Sequence, residues 1–271
     1  MNSARGRLTK DGIRIYALGD FVGMAEAGRI AATILDDIIQ YIFVGQTTAE
    51  IDRMITDMVV AHGAKSATIG YKGYQHASCI SVNHVVCHGI PGDKKIKDGD
   101  ILNIDVTVIV DGWFGDTSRM YVAGKLPRKS ERLIEVTHEA LFKGIEAVKP
   151  GNTFGDIGCA IQSFVEGHRM SVVKDFCGHG LGQVFHAPPN VLHYGRAGTG
   201  PVLEEGMFFT IEPMVNLGRS ETKVLADDWT AVTRDKSLSA QFEHSVGVTA
   251  TGVEIFTLSP KSLFHPTYNL L

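Results

Sequence analysis

The chain repeats two stretches of sequence at nearly constant spacing, and this feature constrains its fold most. Residues 45–51 (GQTTAEI) return as residues 151–157 (GNTFGDI), an offset of 106. In each copy a threonine precedes an acidic residue by three positions, the pattern of a capping box that opens a helix. Apolar residues at helical spacing follow both copies, and a longer amphipathic helix is expected before each, over 30–41 and 133–141. The repeat predicts two similar units.

The second repeated stretch indicates strands. Residues 96–105 (IKDGDILNID) match residues 203–212 (LEEGMFFTIE), an offset of 107. Each is an acidic turn with glycine, then an apolar strand that ends on isoleucine and a carboxylate. We therefore expect an α+β fold with two halves, about 12–125 and 126–271, in a single domain over 1–271. An approximate two-fold would relate the halves, with sheets in the middle and helices outside, and a site is expected between them.

Two carboxylates fall on strands that should be apolar. The β-branched run before the Asp-Gly turn at 111–112 predicts a hairpin, in which Asp105 lies opposite Ser118 and Thr107 lies opposite Asp116. Asp105 and Asp116 would then share one face of the sheet as diagonal neighbours. Desolvating two carboxylates together is costly unless a cation lies between them. The pair indicates a metal site, although Asp105 alone fits a bulge or a solvated face equally well.

Three further side chains have both an ordinary explanation and a ligand role. Glu212 repeats the position of Asp105, and Glu243 lies within an expected strand over 240–248; either alone fits an exposed edge. His179 lies in a glycine-rich segment expected to be a loop that leaves its imidazole uncrowded, where a lone histidine is more often structural. Together, four carboxylates and one imidazole suit a pair of ions such as Mn, Fe or Co. Aminopeptidases are among the users of two-metal sites.

The composition limits the class of function. The 271 residues are 44% hydrophobic and 21% charged, with a net charge of −4 and no basic run, which argues against nucleic acid as a partner. The apolar runs are shorter than the roughly 20 residues of a membrane span, and the first eleven residues lack the apolar core of a secretory signal. We expect a cytoplasmic protein with no membrane partner. We also expect reduced, buried thiols at Cys79, Cys87, Cys159 and Cys177.

A set of motifs extends over about residues 23–257. They are CISVN at 79–83, VCHGIP at 86–91, NIDVT at 103–107, GDTS at 115–118, CGHG at 177–180, FH at 185–186, TIEPM at 210–214 and SLSAQFEH at 237–244. Each alone is only suggestive, but together they resemble the type I methionine aminopeptidases of the bacterial form. The resemblance implies the duplicated pita-bread fold of the creatinase and aminopeptidase type. It also implies removal of the initiator methionine from nascent proteins.

The resemblance further implies roles for individual residues. It places two divalent ions (Co, Mn, Fe or Zn, with the identity open) on Asp105, Asp116, His179, Glu212 and Glu243. Water activated by both ions would attack the first peptide bond, with Glu212 as proton acceptor. His186 would contact the substrate amide and stabilise the tetrahedral intermediate, and His88 would help to protonate the leaving amine.

The substrate pocket and the partners are also implied by the resemblance. The methionine pocket matches Tyr71, Tyr74, Cys79, Phe185 and Trp229, beside His88 and His186. A monovalent cation site matches Asn83, Val85 and Ser239. Thr68 stands where some relatives carry cysteine, and Asp228 where a glycine is expected, which leaves that turn open. We expect a monomer that acts on nascent peptides near the ribosome.

Three alternatives compete with this interpretation. Proline-specific members of the fold, such as prolidase, carry an additional N-terminal domain for which the motif-bearing region leaves no space. Type II methionine aminopeptidases carry an insertion between the last two carboxylates, whereas Glu212 and Glu243 are only 31 residues apart. A non-catalytic scaffold that binds protein or nucleic acid would be expected to lose ligand positions and gain basic extensions. Metal-dependent methionine release distinguishes the enzyme from the scaffold.

Overall fold

The computed structural model describes residues 5–266, and all bounds below refer to that part of the chain. The α-helices are α1 (Phe21–Asp37), α2 (Thr48–Ala61), α3 (Arg128–Glu146) and α4 (Phe154–Gly167). Strands before α3 are β1 (Arg7–Leu8), β2 (Arg14–Ile15), β3 (Lys65–Ser66), β4 (Ser78–Val82), β5 (Val85–Cys87), β6 (Ile101–Val110) and β7 (Trp113–Val122). Strands after α4 are β8 (Ser171–Val172), β9 (Gly178–Gly180), β10 (Ala187–Val191), β11 (Phe208–Ile211), β12 (Met214–Asn216), β13 (Thr222–Val224), β14 (Ala231–Thr233), β15 (Ser239–Gln241), β16 (His244–Val248) and β17 (Val253–Ile255). Short 3₁₀ turns cover Leu18–Asp20, Ile38–Tyr41 and Tyr71–Gly73.

The predicted capping boxes open α2 and α4. The backbone N–H of Thr47 donates to Glu50 Oε2 at 2.8 Å, and that of Thr153 donates to Asp156 Oδ2 at 2.7 Å. Each carboxylate thus satisfies a donor at a helix start that the helix itself leaves unpaired. The sequence repeat is therefore also a repeat of local structure.

The two repeated stretches pair with each other in the same way in both copies. Gly45 N–H donates to Ile96 O at 2.8 Å, and Gly151 N–H donates to Leu203 O at 3.1 Å. Isolated bridges join Thr47 to Lys95 and Thr153 to Val202. The equivalent contacts are separated by the offsets of the sequence repeat, which supports the predicted duplication.

The strands form antiparallel sheets that meet in the middle of the molecule. In one sheet, β3 and β4 both pair with the same edge of β6, and β7 pairs with the opposite edge of β6. A second sheet has the strand order β10-β9-β11-β16-β17. Smaller sheets have the orders β15-β12-β8, β13-β14-β5 and β1-β2. A bridge between Ser118 and Glu243 connects the β6–β7 hairpin with the second half of the chain. Each set of helices covers its own apolar core, one around α1 and α2 and one around α3 and α4.

The hairpin register is confirmed. Asp105 pairs with Ser118 and Thr107 pairs with Asp116. Both turn residues take positive φ, 48° at Asp111 and 83° at Gly112, as a two-residue turn that matches strand twist requires. The turn thereby places both carboxylates on one face of the sheet.

Several local expectations are wrong. The first long helix ends at Asp37 and continues as a 3₁₀ turn, so Tyr41 is partly exposed instead of sharing the buried face. The strand expected over 240–248 is interrupted between β15 and β16, because the backbone at Glu243 leaves its own sheet to bridge to Ser118. His179 lies in strand β9 and not in a loop.

The four cysteines are free thiols, as expected, but only two are buried. Cys79 and Cys87 are buried, whereas Cys159 and Cys177 are half-buried. Cys159 lies on α4, where its sulfur is 3.9 Å from Ser163 Oγ. None of the helices within residues 5–266 combines the length and apolar character that crossing a membrane requires.

Candidate active site

The β6–β7 hairpin presents Asp105 and Asp116 to a cavity of about 740 Å³. Asp116 is buried, and Thr107 Oγ1 donates a hydrogen bond to its Oδ1 at 2.7 Å. That bond leaves Oδ2 of Asp116 directed to other groups, among them His179 Nε2 at 3.4 Å. The hairpin thus supplies Asp116, whose carboxylate is oriented by Thr107, and Asp105, which lies two residue pairs further along the same hairpin.

Glu243 is held at the point where the two halves meet. Its backbone N–H donates to Ser118 O at 3.0 Å, and its carbonyl accepts from Thr117 Oγ1 at 2.7 Å. Both bonds tie it to β7, next to Asp116. Ligand atoms of Asp116, His179 and Glu243 all lie within 4.8 Å of one another. That spacing suits a shared cation.

His179 lies in β9, and Glu212 directly follows the neighbouring strand β11. The His179 N–H donates to Thr210 Oγ1 at 3.0 Å, and Thr210 Oγ1 donates to Glu212 Oε1 at 2.8 Å. His179 Nδ1 donates to Gly180 O at 3.2 Å, so that Nε2 is the ring nitrogen that faces Glu212 Oε1, at 3.8 Å. A histidine held in this way is prepared to ligate a metal through Nε2.

The glycines beside His179 permit close approach of strands. A Cβ at Gly178 would lie 2.4 Å from Thr210 O, and one at Gly180 would lie 2.1 Å from Pro188 O. Any side chain there would push β9 away from β11 or β10. The glycines therefore pack the imidazole into the site, contrary to the uncrowded loop that we expected.

Electrostatic repulsion within the cluster is large. Burial, followed by the charges of Asp116 and Glu212, raises the pKa of Asp105 well above its usual range. Burial and the same neighbours, with Asp105, raise the pKa of Glu243. Burial also raises the pKa of Glu212 to about 7, against the opposing charge of His179. Burial alone would lower the pKa of His179, but hydrogen bonding to Asp116 and the charge of Glu212 raise it.

All twelve predicted catalytic, metal-binding and pocket residues line this one cavity. They are Tyr71, Tyr74, Cys79, His88, Asp105, Asp116, His179, Phe185, His186, Glu212, Trp229 and Glu243. Thr68 lines it as well, with its hydroxyl donating to His76 O at 2.7 Å. Of the described residues around the cavity, the only lysine or arginine is Lys72, whose ammonium is 5.4 Å from the centre of the Tyr71 ring.

Aromatic rings form the walls around the carboxylates. Tyr71 stacks on His186 at 5.2 Å between ring centres and contacts Phe185 at 4.9 Å. Tyr74 contacts Trp229 at 4.9 Å. Trp229 follows Asp228, whose backbone is left-handed, with a φ of 61°. Glycine adopts this conformation most easily, which is why a glycine is expected at this position. Apolar walls beside a polar cluster are typical of a pocket for an apolar side chain.

Two histidines lie along the cavity. His186 is close to His179, with ring centres 4.1 Å apart. His88 packs edge-on against Phe176 and Trp229, and burial lowers its pKa, which favours the neutral imidazole. Both side chains line the cavity beside the carboxylates.

The predicted monovalent-cation residues lie together outside this cavity lining. The Ser239 N–H donates to Asn83 O at 2.9 Å, and the Asn83 side chain is bonded to Asp100. Val85 in β5 pairs with Val232 in the neighbouring strand β14.

Several residues that support the cluster were missed in the sequence. Thr107, Thr210 and Gln241 each lie two positions from a candidate ligand, and Gln241 Nε2 donates to Glu212 Oε2 at 3.2 Å. A search for polar residues at strand spacing from each carboxylate finds all three, since such residues share a sheet face. His193, which contacts the Glu212 backbone, has no comparable signal.

The fold and this donor cluster define a metal-dependent peptide hydrolase. The model of metallopeptidase family M24 matches residues 22–250, and the chain belongs to this family. The match covers both repeated halves and every candidate ligand.

Individual relatives narrow the class. The chain is 55% identical over 257 residues to the methionine aminopeptidase of Rickettsia prowazekii, covering 94% of this chain and 99% of the relative. It is 52% identical over 248 residues to that of Escherichia coli K12, covering 91% and 94%. The R. prowazekii crystal structure superimposes with a TM-score of 0.90 at 55% identity, over 91% of this chain and all of that one. Within the family the chain therefore groups with the type I methionine aminopeptidases, and its activity is metal-dependent removal of the initiator methionine.

The pita-bread fold is confirmed in the same way. A prolidase from Pyrococcus horikoshii superimposes with a TM-score of 0.70 at 21% identity, over 90% of this chain and 63% of the prolidase. That likeness concerns the fold alone. The high identity to methionine aminopeptidases argues against the proline-specific alternative.

Proposed function

We propose that Asp105, Asp116, His179, Glu212 and Glu243 hold two divalent ions that serve methionine removal. The observation that carries this proposal is a set of four mostly buried carboxylates around one cavity. Burial and mutual repulsion raise the pKa values of Asp105, Glu212 and Glu243. The positive side chain in contact with the set is His179, which cannot balance four charges. Oxygen-rich donors with one imidazole suit Mn, Fe, Co or catalytic Zn.

The residues around the ions have separate roles in catalysis. The ions, when bound, supply Lewis-acid polarisation and lower the pKa of water. Glu212, held by Thr210 and Gln241, accepts a proton during attack on the first peptide bond. His186 donates to the developing charge on the substrate carbonyl, and His88 helps to protonate the leaving amine.

The walls of the cavity select the first side chain. Tyr71, Tyr74, Phe185 and Trp229 bound an apolar space, and Cys79 adds a buried thiol whose pKa is raised by burial. An unbranched apolar side chain such as methionine fits such walls, and charged side chains are excluded by the cost of desolvation.

The cellular setting is part of the same proposal. A cytoplasmic monomer that meets nascent peptides near the ribosome would encounter initiator methionine as it emerges. Asn83, Val85 and Ser239 would bind a monovalent cation, which their clustering near the Ser239–Asn83 hydrogen bond supports. The two halves would divide in the segment between β7 and α3, at about residue 125, which the two separate apolar cores support.

Metal counting on matched variants tests the cage. Asp105→Asn removes one charged donor, whereas Asp111→Asn makes the same chemical change at the exposed tip of the same hairpin. We expect two manganese ions per chain by calorimetry for wild type and for Asp111→Asn, and fewer than two for Asp105→Asn.

Methionine release from the peptide Met-Ala-Ser completes the test. Wild type and Asp111→Asn should release methionine, chelator should abolish release, and added Mn, Fe or Co should restore it. Asp105→Asn should lose at least a hundredfold in kcat while retaining its circular dichroism spectrum. Unchanged metal content and turnover in Asp105→Asn would refute the ligand assignment.

A further inference from the structure

One buried histidine contacts the backbone of a candidate ligand and has no part in the mechanism above. The side chain of His193 is fully buried, and its Nε2 accepts a hydrogen bond from the Glu212 N–H at 3.0 Å. We propose that His193 is a positioning residue that fixes Glu212 in the metal cage. This inference rests on the proposed role of Glu212.

The Glu212 N–H needs such a partner because the sheet ends there. Strand β11 finishes at Ile211, which pairs with His244, and β12 begins only at Met214. The intervening Pro213 has no N–H of its own. A buried backbone donor without an acceptor costs about 1–3 kcal/mol. His193 supplies the acceptor that the ladder no longer provides, at the residue whose carboxylate must be oriented.

The segment that carries His193 is anchored to the rest of the site. Strand β10 ends at Val191 and pairs with β9 through Asn190 and His179. His186 directly precedes the same strand. One short segment therefore carries His186, pairs with the strand of His179 and contacts the backbone of Glu212.

Helix α4 holds the segment from the other side. A Cβ at Gly158 would lie 2.4 Å from Tyr194 O and 2.7 Å from Leu192 O, so the helix approaches the carbonyls on both sides of His193. The Gln162 side chain accepts from the Gly195 N–H at 3.1 Å. The backbone around His193 is thus fixed independently of the imidazole.

The hydrogen bond determines the tautomer of His193. Because Nε2 accepts, the ring proton must be on Nδ1, an atom that is buried and has no hydrogen-bond partner among the described residues. A packing role alone does not require this arrangement, since a hydrocarbon of similar size would avoid the unpaired donor. The acceptor at Nε2 is the feature that only a histidine or a similar polar residue provides.

Three variants separate positioning from packing. His193→Leu removes the acceptor, and His193→Gln returns an acceptor at nearly the same distance from the backbone. His138→Leu, at a half-buried histidine on α3, is the matched control. We expect His193→Leu to weaken manganese binding by about tenfold and lower kcat by about 10- to 100-fold, the usual range for a residue that orients a ligand. His193→Gln should stay within about threefold of wild type, and His138→Leu should change only thermal stability.

The same set of measurements can overturn the proposal. A loss of thermal stability in His193→Leu with unchanged manganese affinity and kcat would show a packing role only. Equal losses of manganese affinity and kcat in His193→Gln and His193→Leu would also show that the acceptor at Nε2 does not position Glu212.

The tautomer of His193 can be measured on the wild-type protein, so the hydrogen bond can be tested even if a variant fails to fold. Nitrogen–proton correlation NMR should show His193 with its proton on Nδ1, and a proton on Nε2 would refute the hydrogen bond. If wild type bound no manganese at all, the proposed cage would fail, and the tautomer would still decide whether His193 holds the Glu212 backbone.

Discussion

Substitution of Glu212 by glutamine should stabilise the metal-free protein at neutral and alkaline pH. Burial raises the pKa of Glu212 from 4.5 to about 7. A carboxyl whose pKa is raised on folding contributes fully to stability below its unfolded pKa and loses that contribution as pH rises through the folded value. Each pH unit between the two values is worth about 1.4 kcal/mol, so wild type should lose about 3 kcal/mol relative to Glu212→Gln between pH 4.5 and pH 8.

Urea unfolding of chelator-treated protein at several pH values measures this difference. Comparing wild type with Glu212→Gln cancels groups that titrate equally in both, such as His244, whose pKa burial lowers to about 3. Glu205→Gln is the matched control, because Glu205 is exposed in the turn that leads to β11. Its free energy of unfolding should follow wild type across the range.

Metal should reverse the order of stability. Divalent ions displace the proton from Glu212, so manganese should restore wild type at pH 8 and stabilise Glu212→Gln much less. A difference between the two proteins that stays flat with pH, or that favours wild type without metal as pH rises, would show that folding does not raise the pKa of Glu212.

Three further substitutions test the packing around the site. Gly178→Ala should lower the free energy of unfolding by about 2–3 kcal/mol, because its Cβ would lie 2.4 Å from Thr210 O; an unchanged melting temperature would contradict this. Arg119→Met should cost about 3–5 kcal/mol, because it leaves buried Asp36 without its ion-pair partner, and denaturant curves matching wild type would argue against it. Asp228→Gly should stabilise by up to about 1 kcal/mol, because Asp228 has a φ of 61°, and calorimetry would disprove this by showing a lower melting temperature.

Local rules predicted the elements whose geometry depends on near neighbours in the chain. The Asp111–Gly112 turn determines the hairpin register, because a two-residue turn leaves one pairing for every following residue. That register places Asp105 and Asp116 on one face. Each capping box likewise depends on residues three positions apart.

Contacts between segments that are distant in the sequence could not be predicted from such local rules. The strand expected around Glu243 is interrupted where the Glu243 backbone pairs with Ser118, which is far away in the sequence. His179 lies in a strand because Gly178 and Gly180 allow two other strands to approach. The resemblance to a family indicated both residues without indicating these causes. His193 was missed because its role depends on where β11 ends.

Anomalous scattering from bound manganese tests directly whether the five residues form a cage for two ions. Crystals grown with manganese should show two anomalous-scattering peaks about 3.5–4 Å apart, the usual separation in two-metal sites. Both peaks should lie in the cavity within bonding distance of Asp105, Asp116, His179, Glu212 and Glu243. Peaks at other residues, or none within the cavity, would show that these five residues are not the metal ligands.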